Sequence, residues 1–538
     1  MFIDDTGKRP SDYYDIPLKV ESTHFIVYYD EAESTKTMAN LVAQEYEKIY
    51  NYFCTQLKFL PGSTYTSGGR YEVYIDGVSG GTTPPLGDGC SYISIGSGTI
   101  FDMQAGETQA VAVLAHEYMH AIAFTYGATW TTGNYWFHES FAAMAGIVYC
   151  PEGAGAYTSP DGSLTIFLKN QNVPINDDEY YHRYGALVFP LYVYENLGGW
   201  NTIKNILLAF GQYKDSLDAI DSGLRATKSS YSLKSALEDV YLYCCDVSHF
   251  YSLFKNLSAE KVTPNSDATY THTGGISTTN TAEVKKLAAS YTKFGGVPQT
   301  ARVYVSNTLQ FTGSAASSVV VKSLVKSVGG AYSVSTYTPD ATGRCTIQQY
   351  LGDANSEMYL VVENLSSNAT VSYRRSTSYY FVPFDGSKYQ LQNVGSGSYL
   401  SASSIALGAN VNQKAPPLTV RSNWAFSSVS NLTYRMNLVS ATQWYLSTGL
   451  TTAVNGTNVT IQSSNDAYQK WIVVMEEFGQ YRISPAANSY LALTIYPGGD
   501  GTAAGTSPTS VGNAYVSVPL DDEMYTSYQL WKLVPIIN

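Results

Sequence analysis

The sequence predicts three domains in series: an α+β domain over 1–280, a small β-sandwich over 281–376 and a closed pseudo-threefold β-barrel over 377–538. Three observations carry this. Apolar helical stretches dominate up to residue 280, six short strand patterns follow from Glu283, and the remainder repeats itself three times with each unit closing on tryptophan. A chain of 538 residues is expected to hold two to four domains, and 44% hydrophobic residues supply large cores.

In the first domain, residues 70–76 (Arg-Tyr-Glu-Val-Tyr-Ile-Asp) alternate as a strand does. Residues 90–95 (Cys-Ser-Tyr-Ile-Ser-Ile) follow a Pro-Pro-Leu-Gly-Asp-Gly turn as a second strand. Residues 109–124 contain neither Pro nor Gly and are apolar enough for a buried helix, which Gly127 is placed to end. This helix carries His-Glu-Tyr-Met-His over 116–120. Two histidines four apart share one helix face with Cβ atoms about 5–6 Å apart, so His116 and His120 can both reach one ion at about 2.0–2.1 Å. Glu117 cannot share the direction of His116 and is free to face a metal-bound water as general base.

A catalytic zinc takes three protein ligands and leaves the fourth position open. Residues 127–134 read as a turn, Asn134 as an N-cap, and 135–149 as a second apolar helix able to pack back on the first. That helix offers His138 and Glu139. Adjacent helix positions point about 100° apart, so only one of them can face the ion. Glu139, with 18 residues between it and His120, is the choice.

These residues resemble the gluzincins, the zinc peptidase clan that includes thermolysin, the bacterial collagenases and the aminopeptidases related to leukotriene hydrolase. The Trp-Phe-His-Glu-Ser-Phe-Ala of 136–142 is similar to the clan's Trp-x-x-Glu-Gly-x-Ala ligand helix, with Ser140 departing from its glycine. The resemblance implies that His116, His120 and Glu139 bind Zn2+ and that Glu117 is the base. The aminopeptidases' Gly-Ala-Met-Glu-Asn element is absent, and Ala143 stands where thermolysin-like enzymes carry a supporting Asp. An α+β gluzincin-like endopeptidase is therefore expected, with the surroundings of the ligands unassigned.

Residues 180–186 (Tyr-Tyr-His-Arg-Tyr-Gly-Ala) open a further apolar helix that runs to the Gly198-Gly199 stop. The clan keeps a Tyr or His in a comparable region to hydrogen-bond the developing oxyanion. Alignment on Gly185-Ala186 brings in His182, a shift of two residues brings in Tyr184, and Tyr181 is a third candidate. The clan also usually has an edge strand above the zinc that pairs with substrate, and Tyr92–Ile95 is its expected place.

The formal charge of −12 without a basic run argues against a nucleic-acid partner. No apolar run approaches the 18–20 residues of a membrane span. Six irregularly spaced cysteines fit neither a disulfide scaffold nor a Cys-x-x-Cys zinc site. The first residues lack the regions of a signal peptide. A composition rich in Ser, Thr, Asn, Gly and Tyr suits a secreted, extracellular bacterial protein, numbered without its leader.

Strand patterns at 301–305, 318–322, 331–335, 345–350, 358–364 and 369–374 predict the sandwich. Beyond it, Tyr389, Tyr434 and Tyr481 open three units at intervals of 45 and 47. Each continues through a Tyr-Leu pair and closes on Trp424, Trp471 or Trp531. One such unit cannot bury its face alone, so a closed threefold barrel is expected. This stretch resembles the ricin-type β-trefoil with its Gln-x-Trp repeats, Ser422 standing where the first glutamine belongs. A carbohydrate ligand is implied by that resemblance alone. The family's usual Asp after Tyr-Leu is replaced by Ser401, Ser447 and Ala492, and Asp500, Asp521 and Asp522 are candidates to supply the carboxylate. Two functions are expected from this reading: a zinc endopeptidase acting on a protein or glycoprotein substrate, or a catalytically inactive adhesin binding carbohydrate or protein. The intact Glu117 favours the enzyme.

Overall fold

The computed structural model describes residues 16–536 except 17, 32–33, 65–68, 77–79, 256–268, 272–277, 296–301, 313–316, 353–354, 367–368, 384–386, 431, 450–452, 464–466, 478–479, 496–513 and 518–526. Asp500, Asp521 and Asp522 lie outside the described residues.

The first domain is built on a five-stranded sheet. Its strands are β1 (Leu18–Glu21), β2 (Phe25–Tyr29), β3 (Tyr71–Asp76), β4 (Gly81–Thr82) and β7 (Ile93–Gly96), in the order β1-β2-β3-β7-β4. β5 (Pro85–Gly87) and β6 (Cys90–Ser91) form a separate two-stranded ribbon. The expected strand over 90–95 is thus divided between two sheets, and Tyr92–Ile95 is not the edge. β7 has β3 parallel on one side, and the chain leaving β3 returns as β4 to pair antiparallel on the other. Val73, Ile75, Ile93 and Ile95 are buried because helices cover this central part of the sheet.

Helices α1 (Lys36–Tyr50), α2 (Ser97–Gln104), α3 (Thr108–Thr125) and α4 (Tyr135–Tyr149) pack against the sheet and one another, followed by α5 (Gly155–Thr158), α6 (Ser163–Lys169), α7 (Tyr180–Gly185) and α8 (Val188–Asn196). α3 ends where expected, with Gly127 at φ +89°. The single helix expected from 180 to 198 is instead two. Pro190 cannot donate a hydrogen bond, and it is tolerated as the third residue of α8, where a helix's N–H groups are unpaired anyway. The break therefore falls at Ala186 and Leu187. Four more helices (Trp200–Ala209, Ser216–Thr227, Leu233–Tyr243 and Val247–Phe250) complete the domain.

Among the described residues, the last α-helix ends at Phe250 and the next strand begins at Thr269. Each of the six expected strands overlaps an observed one: β11 (Arg302–Thr312), β12 (Val319–Ser327), β13 (Tyr332–Tyr337), β14 (Arg344–Gly352), β15 (Asn355–Asn364) and β16 (Val371–Val382). Three more precede them, β8 (Thr269–Thr271), β9 (Thr278–Val284) and β10 (Ala288–Gly295). β9 escapes notice because it is a polar edge strand in which Val284 alone is buried among the described side chains. β10 escapes notice because it does not alternate. Ala289 and Tyr291 join the core of the first domain, whereas Ala288 and Phe294 join that of the sandwich. One layer runs β13-β12-β15-β10-β8 and the other β14-β11-β16-β9, joined at the single pair Gly352 and Asn355.

Six strands close the C-terminal barrel: 388–393, 424–430, 433–438, 471–477, 480–485 and 530–535, each paired antiparallel to the next and the last to the first. Its threefold repeat comes down to one interaction used three times. The fully buried indoles of Trp424, Trp471 and Trp531 donate from Nε1 to the carbonyls of Leu400 (3.0 Å), Leu446 (2.9 Å) and Leu493 (2.9 Å), the leucines of the first two Tyr-Leu pairs and, in the third unit, the leucine two residues beyond the pair. A short 3-10 turn ending in buried Ser422, Gln469 or Gln529 leads into each tryptophan or its strand. Ser401, Ser447 and Ala492 are buried as well, so the positions directly after Tyr-Leu present no surface group to a ligand.

Trp471→Phe keeps most of the ring but strands the Leu446 carbonyl, an omission that costs about 1–3 kcal/mol. Chemical denaturation should show the barrel weakened by that amount; an unchanged midpoint would mean that the repeat rests on ring packing alone.

Candidate metal centre

The approach of α3 to α4 is set by a glycine. A Cβ on Gly146 would stand 2.6 Å from the Ala112 carbonyl oxygen, so the helices can touch backbone to backbone only with glycine here. This brings Glu139, on the first half of α4, against His116 and His120 on α3. The start of α4 is held from a distance. Asn134 occupies the N-cap position but makes no capping bond; its Oδ1 accepts from the Ser216 amide (2.9 Å) and its Nδ2 donates to the Lys214 carbonyl (2.9 Å). Asp178 takes over the role, its Oδ1 accepting from the Trp136 amide at 3.0 Å and its Oδ2 from the Gly133 amide at 2.6 Å.

The Nε2 atoms of His116 and His120 are 3.0 Å apart, and Glu139 Oε2 lies 3.2 Å from the first and 3.4 Å from the second. All three side chains are buried. Ligands at about 2.0–2.1 Å around a tetrahedral ion stand about 3.3 Å from one another, so these three atoms occupy three corners of such a site. The donor set, two imidazoles and a carboxylate, is one that suits a divalent metal such as zinc. Burial alone would raise the Glu139 carboxyl; the two imidazoles outweigh it and hold the group well below the usual carboxylate range.

His138 is outside the cluster. Its ring lies among Phe124, Trp130 and His120, its Nε2 meets the Thr129 carbonyl at 3.2 Å, and burial with the neighbouring His120 pushes its pKa down to about 3.

Glu117 is not among the three ligands and lies against β4. The Thr83 hydroxyl lies 2.7 Å from Glu117 Oε2 and 3.0 Å from its main-chain carbonyl. A Cβ on Gly81 would sit 2.6 Å from Glu117 Cγ, so only glycine lets the edge strand cross over this side chain. The true edge strand and the candidate base are thus in direct contact.

Of the residues expected near the centre from the 180–186 segment, Tyr184 is there and His182 is not. The Tyr184 ring stacks on His116 at 5.7 Å and 15°, and burial together with the Glu139 and Glu117 carboxylates raises its hydroxyl pKa far above the ordinary value. Positions two apart on a helix point about 200° apart, so with Tyr184 on the cluster His182 must face the other way. It does: its ring packs on Phe167 and its Nε2 bonds the Pro174 carbonyl at 2.8 Å. His182 is a buried structural histidine. Tyr181 is exposed and packs edge-on against Tyr180. Sequence reasoning missed Tyr157 on α5, whose hydroxyl pKa is raised by burial and by the Glu139 and Glu117 charges. One tyrosine among 47 on a four-residue helix carries no signal of its own.

No protein-family model matches the chain, and no curated protein does. Among solved structures it is similar to ThreeFoil, a designed 3-fold symmetric protein, at 22% identity and a TM-score of 0.24, covering 28% of this chain and 99% of that one. It is similar to the Rhizoctonia solani agglutinin at 15% identity and a TM-score of 0.24, covering 29% and 99%. A third is the Polyporus squamosus lectin bound to a human-type influenza-binding epitope, at 15% identity and a TM-score of 0.23, covering 28% and 50%. No helix among the described residues is long and apolar enough to cross a membrane.

Burial holds the His182 imidazole below its ordinary pKa of 6.5. Below that pH the unfolded chain takes up a proton that the folded protein refuses, so stability falls as the pH drops from 6.5 toward the folded-state value. His182→Gln cannot charge, and should flatten the fall in melting temperature between about pH 7 and pH 5. An identical slope in both proteins would assign that fall to other groups.

Proposed function

We propose that the chain is a secreted zinc-dependent endopeptidase in which His116, His120 and Glu139 hold the metal and Glu117 is the general base. The observation that carries this reading is the tetrahedral spacing of three buried ligand atoms beside a second carboxylate that a separate strand holds apart. A structural site would close the fourth corner with another Cys or His, whereas the cluster of described residues contains three ligands.

A zinc ion bound there supplies a Lewis acid for the scissile carbonyl and lowers the pKa of water to about 7. Glu117 takes the proton of the attacking water and passes it to the departing amine nitrogen. Thr83, bonded to Oε2, fixes the carboxylate's orientation and leaves Oε1 to do the transfer. The Tyr184 hydroxyl, kept protonated by its surroundings, is the donor for the carbonyl oxygen as it gains charge. β4, lying over Glu117, is the edge on which an extended peptide would pair. The barrel is assigned to holding a glycoprotein substrate close, which raises local concentration without altering the chemistry.

Purified protein should carry one zinc per chain, and His116→Ala should lose it; stoichiometric metal retained in that variant would exclude the ligand set. Glu117→Gln should keep the metal and lose at least about 100-fold in peptide hydrolysis, the usual worth of a general base. Unchanged turnover would exclude Glu117 as the base, whereas absence of hydrolysis by the zinc-loaded, unaltered protein would leave the inactive-adhesin reading in its place.

Tyr184→Phe should lower kcat by about 10- to 1,000-fold with zinc content preserved, since an oxyanion donor acts mainly on the transition state. A change confined to KM would make Tyr184 a binding residue only.

A further inference from the structure

Between His182 and Tyr184, Arg183 places its charge beside Glu139 and a set of aromatic rings without making a side-chain hydrogen bond to either. Its guanidinium lies over three tyrosine rings, Tyr180 at 5.2 Å, Tyr184 at 5.7 Å and Tyr135 at 6.0 Å. Its buried Nε has no hydrogen-bond partner. Glu139 Oε1 is 3.7 Å from Nη2, beyond hydrogen-bond length. Five donors on a four-fifths buried side chain are thus arranged beside the metal ligands, with the rings holding the plane of the fork and no acceptor in place.

The charges around it give this arrangement a direction. The groups named around the centre carry two carboxylates, Glu117 and Glu139, and one guanidinium, which lies beside Glu139. A divalent cation on the three ligands adds two positive charges, takes up the Glu139 carboxylate and leaves the set formally one positive, with Arg183 losing its nearby counter-charge. A desolvated cation in that position favours an incoming anion, and a planar fork pairs bidentately with a carboxylate, the anion that a peptide carries on its acidic side chains and its terminus.

We propose that Arg183 is a specificity-determining residue that binds a carboxylate of the substrate next to the scissile bond. The carboxylate comes from an acidic side chain or from a chain terminus; both present the same planar anion. This inference rests on the metallopeptidase reading above. Tyr135, Tyr180 and Tyr184 act as positioning residues that hold the guanidinium flat against the pocket wall.

Binding to the zinc-loaded full chain tests this without relying on turnover. Dicarboxylic acid monohydroxamates of graded chain length would be titrated calorimetrically against matched compounds whose free carboxylate is an amide. The hydroxamate reports on the metal and the tail on Arg183. At the best length the carboxylate tail should bind about tenfold or more tighter, the usual worth of a charge-assisted hydrogen bond. Arg183→Gln should abolish that preference at unchanged zinc content, and Arg183→Lys should retain part of it. Equal affinity of the two series for the unaltered protein, or a preference that survives in Arg183→Gln, overturns the proposal while leaving the metal reading intact. Failure of both series to bind sinks the metal reading, and this inference with it. Peptides differing only in Glu against Gln, or in a free against an amidated C-terminus, then identify which carboxylate is recognised.

Discussion

The geometry of the centre depends on one close contact, the crossing of α3 and α4 at Gly146. Two imidazole nitrogens and a carboxylate oxygen within about 3.4 Å of one another in a dry interior cannot all act as acceptors without a proton or a cation between them. What holds them together is the packing of two apolar helices on either side, Leu114, Ala115, Ile122 and Met119 from one and Phe141, Ala142, Ala145 and Ile147 from the other, all buried. Interiors are close-packed and relax little, so the energy of burying these side chains fixes where the polar atoms stand. Asp178 and Asn134 anchor the start of α4 to distant parts of the same domain, which removes the remaining freedom of Glu139.

A second constraint separates Glu117 from the ligands. It is adjacent in sequence to His116, yet the turn of the helix sends it to the sheet side, where Gly81 and Thr83 receive it. The edge strand is thereby joined to a candidate base, and any peptide lying along β4 would pass over the carboxylate. The neighbouring tyrosines and Arg183 close the opposite wall, so the two walls differ in chemistry: backbone hydrogen-bonding groups on one, aromatic faces and a cation on the other.

The domains share structure at their junctions. β10 serves two cores with its two faces, Tyr291 donates from its hydroxyl to the Tyr241 carbonyl at 2.7 Å, and Tyr241 donates to the Leu287 carbonyl at 2.5 Å. Lys322 crosses the same junction. Its Nζ donates to the Glu238 carbonyl at 2.7 Å and lies 3.4 Å from Glu363 Oε1, a carboxyl that burial raises well above its usual range. Separating the first domain from the sandwich would expose apolar strand faces and take the Glu238 carbonyl away from the buried Lys322 ammonium, which is costly. The junction is therefore part of the fold of both domains.

Sequence alone determined the features that are local. The i,i+4 histidines, the limits of α4 at Tyr135 and Tyr149, the six sandwich strands and the three tryptophan repeats are each properties of a short window, where periodicity and turn residues act directly. The choice of Glu139 over His138 was also legible, because helix geometry allows only one of two neighbours to face a given point. Tertiary structure alone decided which strand is the edge, which residue caps α4, that Tyr184 and not His182 stands on His116, and that Tyr157 and Arg183 join the site. Each of these depends on a partner many residues away: Phe167 and Pro174 capture His182, Asp178 displaces Asn134, and β4 folds back along β7. The two-faced burial of β10 was invisible for the same reason, since a strand shared between two cores has no polar side to alternate. Local pattern says which face of an element is apolar; only the assembled core says what that face meets.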